Sequence, residues 1–382
     1  MVSRLYRTTS PAFLAVQRAL QRLGLAALGT PTLAALIGLF VCGLLLLDAR
    51  STQTRVTRLL PARCHDSLNR LLRTMPWSTR ALLRLLLEFA RRLDRPGYLV
   101  LDDVIVEKAF ATRLPWAGWT YSFAKKRKVY GLHIVLLLWT SVDRQWRIPV
   151  GFRLWRPKRS CARQRYQTKL QLAVPLLEAV VAARLPVEYV VFDTAYTAGW
   201  FTKKLSRLGL TWQGTLQPDT IVYWRNQRLP VWLVAGFAET RWRTRLGVRA
   251  VRLRVGSPTY GTVTLVVTRN RHSNEEFLVT NSCTADVTTI GERKRSRWSV
   301  ETVFRDSKQY AGLEGCQCWS DVAWVRHVGL VLLTFVVLQM LRERPSEPLA
   351  AVKERWQLAV IRNGEQAPVP LRACPPQLRP TA

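Results

Sequence analysis

Hydrophobic residues recur at helical spacing through the first quarter of the chain, in runs at 13–23, 33–47, 67–72 and 79–93. Thr30 or Thr32, Asp66 or Ser67, and Ser78 stand where N-caps belong. At Arg95-Pro96-Gly97 the period changes. Residues 98–101 form a short apolar run that ends in Asp102-Asp103, and 133–140 and 147–155 follow as two strands of a meander. A loop at 114–119 and the basic run Lys125 to Lys128 lie between the first strand and that pair. A helix over 168–183 then leads to a buried strand, 187–192, that stops at Asp193; a helix at 198–208 and a strand at 211–217 come next. From 221 to 281 the pattern is strand-like, with runs at 232–234, 248–255, 262–268 and 277–280. One helix is expected over 292–309, which holds no Gly or Pro, and an apolar helix over 322–342; from Arg344 onward the chain is Pro-rich and expected to be peripheral. The pattern alone says α/β with a mixed sheet behind a helical N-terminal region.

Charge narrows the partners. Lys and Arg number 58 against 25 Asp and Glu, a formal charge of +33, yet 48% of residues are hydrophobic and 15 are Trp. This is a folded protein with a strongly positive surface, and such a field calls for a polyanion, DNA or RNA, with an anionic membrane surface as the rival. Residues 1–95 hold 15 Arg, no Lys and four acids, a composition that suits phosphate contacts from helices. Seven scattered Cys show no repeated pair spacing, so structural zinc is not expected, and free thiols suit a reducing cytoplasm. Residues 23–47 carry no charge, but Gly29-Thr30-Pro31-Thr32 interrupts them. What remains is short for a membrane span, and a buried helix is expected.

Within 292–309, Arg297, Glu301, Arg305 and Lys308 follow one another at steps of four, four and three, which gathers them on one side of a helix. A carboxylate flanked by cations suits a metal ligand beside phosphates; a solvated face of ion pairs is the plain alternative. This segment resembles the Tyr-x2-Arg-x3-Glu-x6-Lys signature of bacterial insertion-sequence DDE transposases, in which Glu is the third catalytic acid. Arg297, Glu301 and Lys308 fill three of its places, while Lys294 stands where Tyr belongs.

The resemblance implies an RNase H-like mixed-sheet core with a β-rich insertion, preceded by an α-helical N-terminal domain. Residues 1–95 would then be an Arg-rich DNA-binding region, 96–217 and 287–345 the two parts of the core, 218–286 the insertion, and 346–382 a C-terminal tail. In such a core the first and fourth strands lie side by side, which would bring Asp103 and Asp193 together. It further implies that Asp103, Asp193 and Glu301 hold two Mg2+ or Mn2+ ions, and that Arg297, Lys308, Lys294 and Arg305 contact DNA phosphates. Asp103 is favoured over Asp102 as the acid nearer the family's Thr, here replaced by Val104. Alternation places Asp103 with Leu99 and Leu101, and Asp102 with Tyr98 and Val100. The function implied is cut-and-paste transposition at element ends by a cytoplasmic, nucleoid-associated protein, acting as a homodimer on terminal inverted repeats and target DNA and not on a membrane. A catalytically inactive or co-opted DNA-binding descendant is the alternative.

Overall fold

Four helices form where the N-terminal periodicity places them: α1 (Pro11–Arg22), α2 (Pro31–Leu46), α3 (Cys64–Arg73) and α4 (Thr79–Arg92). Pro31 opens α2 and Thr30 caps it, its hydroxyl accepting from the Leu33 amide at 3.2 Å. Helix α3 starts ahead of the expected caps, so Asp66 lies in its first turn, where a negative charge suits the helix dipole. The computed structural model describes residues 11–47, 64–109, 111, 114, 116–122, 125–161, 165–272 and 274–362. Residues 363–382, in the expected tail, lie outside these. The chain divides into two compact units: Met1–Phe89, Ile105–Leu132 and Val303–Ala382 form one, Ala90–Val104 and His133–Thr302 the other.

The first unit is organised on one long apolar helix over Asp321–Met340, buried at nearly every position from Ala323 to Gln339. Among the described residues it is the one helix long and apolar enough to cross a membrane, and 78% of its most apolar window is buried inside the protein. The run at 33–47 is the shorter helix α2, which packs against it. Arg326 of the long helix reaches the C-terminal end of α3. Its guanidinium donates to the carbonyls of Leu71 (3.3 Å), Leu72 (3.4 Å), Met75 (2.7 Å) and Trp77 (2.9 Å), and lies 5.1 Å from the Trp77 ring centre. Trp77 adds its amide to Met75 O at 3.0 Å and its indole N–H to Leu71 O at 2.7 Å, so one buried cation and one indole together serve a helix end.

Two expectations in this unit are corrected. The segment 114–119, read as loop, runs into strand β2 (Gly118–Ser122), which pairs antiparallel with the start of β3 (Arg127–Ser141), Gly118 opposite Gly131. The segment after Arg344 is not merely peripheral: a helix spans Leu349–Arg362. It is anchored by Trp356, which donates to Ala12 O at 2.8 Å and meets Phe13 edge-on, and by buried Lys353, which donates to the carbonyls of Tyr310 and Leu47.

The second unit carries the sheet. Strands β1 (Gly97–Glu107), β3, β4 (Arg147–Trp155), β5 (Val190–Phe192) and β6 (Trp212–Leu216) lie in the order β4-β3-β1-β5-β6, with β1, β5 and β6 parallel. Strand β1 continues through Asp102-Asp103 rather than stopping there. Its start is fixed by packing: a Cβ on Gly97 would come within 2.2 Å of the buried Trp139 indole, whose N–H donates to Pro186 O at 3.2 Å. Helices α5 (Lys169–Ala182) and α6 (Gly199–Arg207) match the sequence pattern, and Thr168 and Gln171 form a reciprocal capping box on α5.

From β6 the sheet continues β12-β11-β10-β7-β8, the β-rich insertion: β7 (Ile221–Trp224), β8 (Gln227–Pro230), β10 (Val248–Ser257), β11 (Gly261–Arg269) and β12 (Glu275–Thr280), with β9 (Arg241–Arg243) on β10. Residues 232–234, expected as strand, belong instead to a short helix α7 (Val231–Phe237). Val231, Val234 and Ala235 recur at three and four residues and are buried, which is helical spacing. The expected helix over 292–309 is two, α8 (Val287–Ser296) and α9 (Trp298–Tyr310). At their junction the Arg297 amide bonds Lys294 O and the Val300 amide bonds Arg297 O, so the ladder tightens to three-residue steps, while the Ser296 hydroxyl donates back to Arg293 O.

Replacing Arg326 by Leu removes a charged donor from four backbone carbonyls and is expected to destabilise the protein by about 3 kcal/mol. Arg326→Lys should restore only part, because an ammonium cannot span the same fork. Urea denaturation of the three proteins measures this; an unchanged midpoint for Arg326→Leu would show that the cap carries no stability.

Candidate active site

The pairing of β1 with β5 sets the site. Leu99, Val100 and Leu101 stand opposite Val190, Val191 and Phe192. One step further along both strands come Asp102 and Asp193. In parallel strands laterally paired residues project to the same face, and successive residues alternate. Asp102 and Asp193 therefore share a face, and Asp103 begins on the other.

The hydrogen bonds follow that division. Asp102 Oδ2 accepts from the Arg297 guanidinium at 2.7 Å, and a second guanidinium nitrogen donates to Glu301 Oε1 at 2.8 Å. Arg297 thus bridges the acid of β1 to the acid of α9. Asp103 is held by different groups: Lys169 at the start of α5 donates to Oδ2 at 2.6 Å, the Tyr196 hydroxyl to Oδ1 at 3.0 Å, and His133 Nδ1 lies 3.5 Å from Oδ2. Lys169 also sits 5.8 Å from the ring centre of Trp155, which meets His133 edge-on. Asp193 caps the short turn after β5, accepting from the Ala195 amide at 3.0 Å.

Electrostatics separate the acids in the same way. Burial, reinforced by the charge of Asp193, pushes Asp102 up to about 7 against the pull of Arg297. Burial also raises Asp193, opposed by the Ala195 amide and Arg297 and reinforced by Asp103. Burial disfavours the charge of Asp103 too, but His133 and Lys169 outweigh it and hold that carboxyl below its usual range. Tyr196 is driven well above its ordinary value by burial and by Asp103 and Asp102, so it stays a hydrogen-bond donor.

Among the described residues no three His, Cys, Asp or Glu side chains converge closely enough to hold an ion as they stand. The donor set nonetheless fits a hard divalent cation. Two partly buried aspartates with raised pKa values stand side by side, and their nearest counter-charge is a guanidinium that also holds the third acid. Asp102, Asp193 and Glu301 are the residues that would hold such an ion.

The expected phosphate-binding cations have different partners. Arg297 is in the acid cluster, whereas Lys294 is ion-paired with Glu276 of β12. Lys308 and Arg305 belong to the first unit; Lys308 pairs with Glu314 at 3.1 Å and donates to Ile105 O, and Arg305 pairs with Asp306 at 3.2 Å. Sequence reading missed Lys169, Tyr196 and His133. Lys169 follows a strong N-cap and Tyr196 lies three residues past Asp193, so their places were visible, but nothing local marked them as partners of Asp103.

The sequence itself places the chain in a family. A family described as DDE superfamily endonuclease matches residues 25–235, over half of the chain, and the protein belongs to it. The match takes in Asp102, Asp103 and Asp193 and ends before Arg297 and Glu301. Among solved structures, the chain is similar to a piggyBac transposase seen by cryo-electron microscopy in a synaptic complex with hairpin DNA. The two share 13% identity with a TM-score of 0.50, over 96% of this chain and 76% of that one, a likeness in fold alone. No curated protein sequence matches the chain.

Asp102 has a testable signature without metal. A carboxyl raised in the folded state favours folding below its unfolded pKa, and that contribution is lost as pH rises through the folded value, here about 7. In EDTA, stability should therefore fall between about pH 4 and pH 7. Asp102→Asn should flatten that fall and melt higher than the parent protein at pH 8. Parallel melting curves for the two across this range would refute the assignment.

Proposed function

We propose that this DDE superfamily endonuclease is a cut-and-paste transposase of insertion-sequence type, which cleaves and transfers strands at element ends. The observation that carries this reading is the shared face of Asp102 and Asp193 with Glu301 tied to it through Arg297. The resemblance of the signature helix put the first acid at Asp103; the strand register supports Asp102 in that role, with Asp103 held by Lys169, Tyr196 and His133 as a neighbouring support. The proposed ions are Mg2+ or Mn2+, a pair of them, and when bound they would activate the attacking oxygen and stabilise the leaving one.

The chain's own residues do the rest. Asp102, Asp193 and Glu301 supply oxygen ligands. Arg297, engaged with two of these acids, is placed to contact the scissile phosphate once those acids take other partners. Lys169 and Tyr196 hold Asp103 so that β1 keeps its register at the site. The partner proposed is duplex DNA at terminal inverted repeats and at the target, with two copies of the chain at work. Residues 221–256 of the insertion, with eight Arg and the single acid Glu239, offer one surface for it. Tyr223, Trp232, Phe237 and Trp242 are exposed there among the arginines.

Asp102→Asn, Asp193→Asn and Glu301→Gln should each abolish Mg2+-dependent cleavage of DNA carrying the element ends. Pairs of these changes should be little worse than single ones, since ligands acting as one unit are not additive. DNA binding should persist in all three. Asp103→Asn should retain cleavage at reduced rate; if it is dead while Asp102→Asn cuts, the first acid is Asp103. Cleavage by every single variant would end the transposase reading.

Binding itself should be steeply salt-dependent given the +33 charge, weakening by orders of magnitude between about 50 and 200 mM salt. Fluorescence anisotropy with duplex DNA tests this, and a flat profile would contradict phosphate-driven binding.

A further inference from the structure

The chain from the end of β4 into α5 holds Arg156, Lys158, Arg159, Arg163, Arg165 and Lys169, with no acid before Glu178. Lys169 opens α5 and brings this basic run to the acid cluster, where its ammonium donates to Asp103 Oδ2 at 2.6 Å. With 31% of its side chain exposed, it stays within reach of a ligand from solution. The ammonium lies 5.8 Å from the ring centre of Trp155, which Tyr166 meets edge-on. Asp103, Trp155, Tyr166 and Lys169 all belong to the second unit.

Asp103 has other donors at hand. The Tyr196 hydroxyl donates to Oδ1 at 3.0 Å, and His133 Nδ1 lies 3.5 Å from Oδ2. His133 is only 4% exposed, and neither of its ring nitrogens has a hydrogen-bond partner among the described residues. A buried imidazole in that state gains free energy from any acceptor that comes within range. A closure of a few tenths of an ångström would let Nδ1–H donate to Oδ2, the atom that Lys169 now holds.

We propose, on the reading that Asp102, Asp193 and Glu301 hold the ions, that Lys169 is a further catalytic residue: it leaves Asp103 to hold a non-bridging oxygen of the scissile-strand phosphate, while His133 takes its place on Asp103. An ammonium suits this exchange, since it is a compact charge with three donors on a flexible stem. The Lys169 charge already acts on Asp193, opposing the rise that burial causes there, so it lies within electrostatic range of the ion ligands. It reaches the phosphate from α5, whereas Arg297 comes from the junction of α8 and α9. His133 is a positioning residue. It keeps Asp103 paired, and β1 in place, once the ammonium has moved.

The test uses the full-length protein and a labelled duplex that carries an element end. With Ca2+ in place of Mg2+, the slope of log affinity against log salt should be shallower by about one for Lys169→Ala, as for loss of one phosphate contact. Asp103→Asn should bind several-fold tighter because Lys169 is released, and the gain should vanish when Lys169→Ala is added. His133→Phe should share the shallow slope, and adding Asp103→Asn should steepen it again. In Mg2+, Lys169→Ala should cut about a hundredfold more slowly. A methylphosphonate at the scissile-strand phosphate should slow the parent likewise and the variant no further. Matching far-UV circular dichroism controls for folding. A parent-like slope for Lys169→Ala, or an Asp103→Asn gain that survives loss of Lys169, would overturn the proposal. If the parent itself does not cut, the transposase reading fails, and the salt slopes still decide whether Lys169 holds a phosphate.

Discussion

The lateral pairing of β1 with β5 is the constraint on which the candidate site depends. Two short parallel strands, fixed by Leu101 opposite Phe192, decide which carboxylates share a face. A shift of one residue would exchange Asp102 for Asp103 and turn the whole arrangement over. The register is protected by packing ahead of the acids: Gly97 admits the Trp139 ring, and Tyr98, stacked at 5.1 Å on Tyr189, donates to or accepts from Ser299 at 2.9 Å. That last bond ties β1 to the first turn of α9, two residues before Glu301. Glu301 is thus positioned by the same strand that carries Asp102.

Asp102 and Asp193 lie side by side with raised pKa values, a placement that opposes stability in the absence of a cation. Arg297 relieves part of the repulsion and, being bidentate, also orients Glu301. The break between α8 and α9 gives this residue its place. A continuous helix would have kept Arg297 at an ordinary interior position, whereas the tightened turn puts it at the C-cap of α8, one residue ahead of the helix that carries Glu301.

Much of this was legible in the sequence. Strand β4, helices α5 and α6 and the long apolar helix follow from periodicity and caps, because Thr168, Gln171 and the alternation of the strands are local signals. Glu301 and Arg297 were visible because helix spacing is local too. Other features depend on partners far along the chain. Leu99 and Leu101 alternate with the acids but are buried on both faces of a covered sheet, as are Tyr98 and Val100, so alternation could not choose between Asp102 and Asp103. Lys169 and Tyr196 reach Asp103 from 66 and 93 residues away. The residues over 232–234 read as strand because β-branched and aromatic residues favour strands, while the burial of Val231, Val234 and Ala235 together made them helix. The helix near the C-terminus was hidden by the Pro-rich composition around it, and its anchor, Trp356, packs on residues some 344 positions earlier.

The central claim is that three positions distant in sequence surround one metal-binding point. Iron(II) in place of Mg2+, with ascorbate and peroxide, generates radicals that cut the backbone beside the bound ion, and sequencing the fragments locates it. Cuts clustered at Asp102, Asp193 and Glu301, suppressed by excess Mg2+ and absent from Asp193→Asn, are the predicted result. Cuts confined to one segment, or unaffected by Mg2+ and by Asp193→Asn, would contradict it.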